Sequence, residues 1–143
     1  MGKKRIVKKG GEGGGGAARG TAARAPKRKL DTGILNIEAT YNNTKVSLAD
    51  TAGNIVLWSS SGSLGFSGAK KGTPFAAAKV GELLGEKAAT MGVKDVAVVV
   101  SGVGAGRESA IRGFTTKGIH ILSIKDTTPV PHNGPRPKKP RRI

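Results

Sequence analysis

Alternating apolar and polar positions mark the start of the folded part of the chain. Apolar residues occupy every second position over 35–39 and again over 46–48, the period of a strand with one buried face. An Asn-rich turn separates these two segments, and a second turn containing Gly53 precedes a third apolar segment, 55–60. The pattern predicts an antiparallel meander of three strands over residues 34–60.

The period then changes to that of a helix. Thr73-Pro74 follows a Gly/Ser-rich loop and provides a preferred N-cap and first helical residue. An apolar stripe at helical spacing continues to Met91, and the next residue is a glycine suited to a C-terminal cap. Gly81 and Gly85 lie inside this helix, where we expect them to permit close packing against the sheet.

The remaining pattern alternates strand and helix. Residues 96–100 form a β-branched run typical of a central strand buried on both faces, and a glycine-rich turn follows. A short helix over 107–117 and a last strand over 119–124 complete the order β-β-β-α-β-α-β. Strand–helix–strand crossovers join parallel neighbours, so we predict an α/β core with a mixed five-stranded sheet.

The charges are concentrated at the two ends of the chain. The formal net charge is +16; residues 1–30 hold ten basic side chains and one acid, and residues 130–143 hold five and none. Only two of the excess charges therefore belong to the middle. We predict three regions: a Gly/Ala-rich basic N-terminal tail over 1–30, partly disordered without a partner; a core domain over 31–129; and a Pro-rich extended basic tail over 130–143.

This distribution indicates a polyanionic partner, because a free compact domain with such an excess would repel itself. RNA or DNA phosphate is the first candidate; an anionic membrane is disfavoured because neither tail has an amphipathic helical stripe. There is no cysteine, and no apolar run is long enough for a membrane span. We expect a cytoplasmic protein without a cofactor, a metal or a small-molecule substrate.

The glycine-rich turn invites a comparison with nucleotide-binding loops. Gly102, Gly104 and Gly106 follow a strand and open a helix, where backbone N–H groups can bind an anion. Arg107 occupies the position at which the dinucleotide fingerprint requires glycine, and the Gly-Lys-Ser/Thr of a triphosphate loop is absent. Two interpretations stay open, a tight strand-to-helix turn and a contact with an RNA phosphate.

Catalytic and metal-binding chemistry find little support. The strand order resembles that of ribonuclease H-type folds, whose two-metal chemistry needs carboxylates on adjacent strand centres, but 96–100 contributes none. His120 is expected to be an ordinary strand residue, and His132 in the Pro-rich tail is a candidate for stacking on a base. Asn133 precedes Gly134, whose open backbone nitrogen makes deamidation and isoaspartate formation expected there.

Four motifs in order resemble one family, the S-eleven family of small-subunit ribosomal proteins, over about residues 31–143. They are Asn42-Asn43-Thr44; Gly65-Phe66-x-Gly68-x-x-Lys71-x-Thr73-Pro74-Phe75; Gly102-x-Gly104-x-Gly106-Arg107-Glu108-Ser109; and Asp126-x-Thr128-Pro129-x-Pro131-His132-Asn133-Gly134-x-Arg136. The Pro-His-Asn-Gly ending is similar to the bacterial and organellar branch. Residues 1–25 do not match closely, and the glycine run over 10–16 is a candidate lineage-specific insertion.

The resemblance implies a structural, non-enzymatic role on a three-layer α/β/α fold of the ribonuclease H type. It further implies binding to 16S-type rRNA in the platform of the small subunit, near the exit-site end of the mRNA path, beside the sixth and eighteenth proteins of that subunit. The expected RNA-binding residues are Arg24, Lys27, Arg28, Lys29, Asn42, Asn43, Gly65, Phe66, Lys70, Lys71, Thr73, Gly102, Gly104, Gly106, Arg107, Arg112, His132, Asn133, Arg136, Lys138, Lys139, Arg141 and Arg142.

Two other functional classes stay open at this point. A divergent nuclease on the same fold would cleave RNA with a metal ion. A DNA-compacting protein would prefer duplex DNA to structured RNA. The separated basic tails fit the second alternative as well as they fit a ribosomal protein, and the family motifs distinguish the two.

Overall fold

The computed structural model describes residues 29–142 and contains five strands and two α-helices in that range. The elements are β1 (Thr32–Ala39), β2 (Thr44–Ala49), β3 (Ile55–Ser60), α1 (Pro74–Met91), β4 (Asp95–Ser101), α2 (Gly106–Thr115) and β5 (His120–Asp126). Two 3-10 turns, Gly62–Leu64 and Gly68–Gly72, shape the loop before α1. The predicted order of strands and helices is confirmed.

The strands form one mixed sheet in the order β3-β2-β1-β4-β5. β2 is antiparallel to β1 and β3, whereas β1 pairs parallel with β4, and β4 with β5. The antiparallel meander and the parallel crossovers predicted from the sequence are therefore joined in one sheet. This confirms the α/β class with a five-stranded mixed sheet.

The arrangement of layers differs from the expected one in one respect. The crossovers through α1 and α2 step across the sheet in the same direction, and the right-handed form of such connections places both helices on one face. Leu84 of α1 and Phe114 of α2 accordingly share a core cluster with Leu35 and Val98 of the sheet. Residues 29–142 thus form two layers rather than three, and no described helix covers the opposite face.

The open face corrects the prediction for β4. Val96, Val98 and Val100 are buried beneath the helices, but Ala97 and Val99 between them are only partly buried. Their side chains point toward the face that lacks a helix layer. The β-branched run therefore marks a central strand, though not one buried on both faces.

The ends of α1 follow the predicted signals. The Thr73 hydroxyl accepts a hydrogen bond from the Ala76 amide, and Gly92 ends the helix in the left-handed region at φ 85°. The glycines inside α1 face α2, not the sheet: a Cβ on Gly81 would lie 2.3 Å from the Ala110 carbonyl oxygen. Their absent side chains allow the two helices to touch.

Candidate nucleic-acid interface

Parallel strands bring their ends to common edges of the sheet. β1, β3, β4 and β5 all run in one direction, so the loops after them meet at one edge, which we call the carboxyl edge. It is built from 40–44, 60–73, 101–108 and the segment after Asp126. The opposite edge, where these strands begin, is the amino edge. Ligand sites of open α/β sheets prefer the carboxyl side.

Lys70 and Lys71 lie at the carboxyl edge on a 3-10 turn that is held firmly to the core. A Cβ on Gly72 would lie 2.1 Å from the Tyr41 carbonyl oxygen, so only glycine allows this approach. The Thr73 hydroxyl donates to the Lys70 carbonyl at 2.7 Å and also caps α1. Among residues 29–142, neither lysine forms an ion pair; Lys70 is exposed and Lys71 is partly buried.

The Asn-rich turn forms the neighbouring part of this edge. The Thr40 amide donates to the Asn43 carbonyl at 2.8 Å, and the Asn43 amide donates to the Thr40 hydroxyl at 3.1 Å. These bonds close the turn and leave the Asn42 side chain exposed. The turn therefore presents a fixed polar surface beside the lysines.

The loop before α1 carries the aromatic part of the predicted site. Gly65 adopts φ 95°, a left-handed conformation that suits glycine, and turns the chain toward Phe66. The Phe66 ring packs edge-to-face on Phe75, with ring centroids 6.1 Å apart. The Lys79 ammonium lies 5.6 Å from the Phe75 centroid. The partly buried Phe66 thus anchors this loop, while the exposed Phe75 leaves a ring accessible.

The glycine-rich turn between β4 and α2 packs against the end of β1. A Cβ on Gly102 would lie 2.1 Å from the Ala39 carbonyl oxygen, and one on Gly104 would lie 2.3 Å from that of Thr40. The Gly104 amide donates to the Ala39 carbonyl at 2.9 Å. A Cβ on Gly106 would lie 2.3 Å from the Thr44 hydroxyl. Close packing accounts for all three glycines, and the amides of Gly102 and Gly104 are already bonded within the protein.

Arg107, predicted as an RNA contact, is bound within the protein. One terminal nitrogen donates to the Gly102 carbonyl and to the Thr128 hydroxyl, and the other donates to the Asp126 carboxylate. Two donors on Thr128, its hydroxyl and its amide, bind the same carboxylate at 2.6 and 2.9 Å. Thr128 first, and then Arg107, lower the pKa of Asp126 to about 2.

Helix dipoles and acids distinguish the two edges electrostatically. Both α1 and α2 begin at the carboxyl edge and end at the amino edge, so their positive ends face the lysines. No side chain caps the N-terminus of α2. Asp31, Asp50 and Asp95 lie at the amino edge, near the negative helix ends. The positive ends of both helix dipoles therefore favour phosphate at the carboxyl edge.

The C-terminal segment leaves the core at the carboxyl edge and is exposed along its described length. Asn133 has φ 56°, the only non-glycine residue with positive φ among those that the structure describes. Asparagine tolerates this conformation better than most residues do. The predicted contacts in this segment are all solvent-exposed: His132, Asn133, Arg136, Lys138, Lys139, Arg141 and Arg142.

Some predicted residues lie apart from this group. Arg112 is exposed on α2 with a guanidinium nitrogen 3.5 Å from Glu108, so an acid partly offsets its charge. Lys29 is at the amino edge, beside the start of β1. Arg24, Lys27 and Arg28 fall outside the described residues. The predicted set therefore divides between two ends of the sheet.

Sequence reasoning missed the part played by Asp126 and Thr128. Both belong to the C-terminal motif, but neither was assigned a contact. The topology contains the signal, because the end of β5 and the start of α2 must meet at the carboxyl edge. An arginine at that helix start and an acid at that strand end are natural partners.

The described part of the chain shows no arrangement suited to metal chemistry. Among residues 29–142, no three His, Cys, Asp or Glu side chains are grouped as metal ligands. No helix in that range has the length and apolarity needed to cross a membrane. The fold and the carboxyl edge define a small basic α/β protein in which closely packed glycine turns support the carboxyl edge.

Comparison with known proteins specifies the family. The model of the ribosomal protein S11 family matches residues 33–142. A small ribosomal subunit protein uS11 from Solibacter usitatus is 53% identical over 117 residues, covering 82% of this chain and 87% of its own. Relatives of the same name from Gloeobacter violaceus and Synechococcus elongatus are 49% and 50% identical, covering 87% and 84% of this chain and 96% and 92% of their own. The chain belongs to the ribosomal protein S11 family and is a structural, non-enzymatic protein of the small ribosomal subunit.

Proposed function

We propose that the chain binds small-subunit rRNA through the carboxyl edge and the C-terminal segment, with the N-terminal tail as a second contact. The observation that carries this proposal is the convergence of Lys70, Lys71, two helix N-termini and the exposed basic segment at one edge. Counterion release from RNA then supplies most of the binding free energy.

The two tails would bind separate stretches of RNA. The N-terminal tail joins β1 at the amino edge, and the C-terminal segment leaves β5 at the carboxyl edge. A strand rises about 3.3 Å per residue, so the ends of the eight-residue β1 lie about 23 Å apart. The core would act as a spacer that directs basic segments to two sites on a folded RNA.

Family membership supports a more specific location. We place the protein in the platform of the small subunit of cytoplasmic ribosomes, near the exit-site end of the mRNA path. Its neighbours there would be the sixth and eighteenth proteins of the subunit, and its role would be to support platform assembly. The family relatives carry the small-subunit name, and the basic edge supplies the chemistry that this location requires.

The salt dependence of binding to 16S-type rRNA tests this function. If about half of the 14 excess charges of the tails meet phosphates, log K against log salt should have a slope of about −5 to −6. The full chain should also co-sediment with small subunits through moderate salt. A slope near zero would contradict the proposal, and a preference for duplex DNA would favour the compaction alternative.

A further inference from the structure

The C-terminal segment has a defined last attachment to the core. The Thr127 amide donates to the Val100 carbonyl at 2.9 Å, and the Gly102 amide donates to the Thr128 hydroxyl at 3.2 Å. From Pro129 to Arg142, no described residue forms a hydrogen bond with the core. The geometry at Thr128 therefore sets the direction in which the basic segment departs.

Arg107 joins the three elements that meet at this point. Its guanidinium binds the turn through Gly102, the end of β5 through Asp126 and the departing segment through Thr128. A planar guanidinium holds its donors in a rigid fork, whereas the three donors of an ammonium group rotate together. We call Arg107, Asp126 and Thr128 the tail latch.

The charges of the tail latch argue against a direct phosphate contact. Arg107 and Asp126 neutralise each other, and the Arg107 side chain is only 31% exposed. An acid held beside the RNA would repel phosphate if it had no other task. Asp126 is instead bound by Arg107 and Thr128, where it orders the start of the chain that carries the cations.

We propose that Arg107 is a positioning residue, which acts through Asp126 and Thr128 to hold the start of the C-terminal segment in its RNA-binding direction. This inference rests on the proposed function. A segment fixed in its bound direction loses less conformational entropy on binding, so its affinity is higher with the same number of charges.

The Asp126→Asn variant separates this mechanism from simple electrostatics. It raises the net charge by one, so a charge effect alone would tighten rRNA binding. The tail latch predicts the opposite, an affinity about fivefold to tenfold lower with the salt slope unchanged, since no cation is removed. The matched control is Glu86→Gln, which makes the same charge change at an ion pair with Lys117, 2.9 Å away and outside the carboxyl edge. It should bind as wild type or slightly tighter.

The Arg107→Lys variant gives a second test. It keeps the charge and loses the fork, so it should behave like Asp126→Asn if Arg107 positions the segment. If Arg107 instead acts only as a positive charge near the RNA, Arg107→Lys should bind close to wild type, because the charge is kept. Wild-type affinity for either variant would overturn the proposal.

Amide hydrogen exchange of the full chain without RNA tests the tail latch separately from the proposed function. The Thr127 and Thr128 amides should exchange about tenfold faster in Asp126→Asn and Arg107→Lys, but not in Glu86→Gln. Unchanged exchange would overturn the tail latch even if rRNA binding is confirmed. Failure of the wild-type chain to bind rRNA would instead reject the proposed function.

Discussion

The two edges of the sheet are built from the same strands but receive opposite ends of the helix dipoles. The carboxyl edge combines Lys70, Lys71 and the positive ends of both helices, and its acid Asp126 is bound by Arg107. The amino edge combines the negative helix ends with Asp31, Asp50 and Asp95, and it also carries Lys29 and Lys94. A core that is nearly neutral overall therefore has two different edges, one of which receives the positive helix ends.

The comparison explains how a nearly neutral domain can serve a strongly basic protein. Parallel strands with right-handed crossovers place every helix start at the same edge. Glycine turns then pack so closely that three loops and the C-terminal segment share that edge. Orientation thus comes from the topology, while most of the charge comes from the tails.

Removal of both tails, 1–30 and 130–143, should have the largest effect. The core keeps its edges but loses 14 of the 16 excess charges, so incorporation into small subunits should fail. Sedimentation of reconstituted subunits measures incorporation, and circular dichroism checks that the core remains folded. A folded, truncated core that enters subunits as readily as the full chain would reject the tail mechanism.

Substituting one glycine at each edge separates the cost of a steric clash from the cost of backbone strain. Gly104→Ala would place a Cβ 2.3 Å from a backbone oxygen, so the unfolding free energy should fall by about 3 kcal/mol. In Gly92→Ala at the amino edge, the added Cβ has no atom within 4 Å, so the only cost is the left-handed φ of 85°. This should lower the unfolding free energy by about 1–2 kcal/mol. Urea unfolding measures both variants. A smaller loss for Gly104→Ala would contradict the close-packed turn.

Acid should release the tail latch at an unusually low pH. The pKa of Asp126 is lowered to about 2 in the folded chain, so its contribution is fully present above its ordinary pKa of 3.8. That contribution is lost as the pH falls through about 2. An NMR titration of the Thr128 amide should show this midpoint, and Asp126→Asn should not titrate there. A midpoint near 4 would show that the carboxylate is free.

Deamidation of Asn133 should have the smallest effect on binding. Attack by the Gly134 nitrogen on the side-chain carbonyl adds one negative charge to the segment, which weakens binding by a single contact at most. Mass spectrometry of aged protein should find aspartate and isoaspartate at this position. Gly134→Ala is a suitable control, since its Cβ would meet Pro131 at 3.4 Å, an ordinary contact. Absence of deamidation in the aged wild-type protein would remove this site.

Local patterns sufficed to predict the elements, because strand period, N-cap and C-cap are properties of neighbouring residues. Thr73 and Gly92 end α1 as their residue types predict. The open face of the sheet was not predictable in the same way, since it depends on which face each crossover chooses. The glycine at position 81 likewise predicted a close packing contact, but the sequence did not identify α2 as the element it packs against.

The basic residues of the interface were predicted from the sequence, but the contacts among its residues were not. Lys70 and Lys71 lie where an RNA contact needs them, Lys70 exposed and Lys71 partly buried, and neither is paired with an acid among the described residues. Arg107 carried the same expectation because the sequence shows a cation at a helix start. Its partner Asp126 is 19 residues away, and only the meeting of β5 with α2 brings the two together.

The most direct test of this account compares equal charge losses at the two edges in the full chain. Lys70→Gln/Lys71→Gln should weaken binding to 16S-type rRNA roughly tenfold and reduce the salt slope by about 1.5. Lys87→Gln/Lys94→Gln, toward the amino edge, should leave both quantities near wild type. Equal losses in the two double variants, or a larger loss in the second, would contradict an RNA interface at the carboxyl edge.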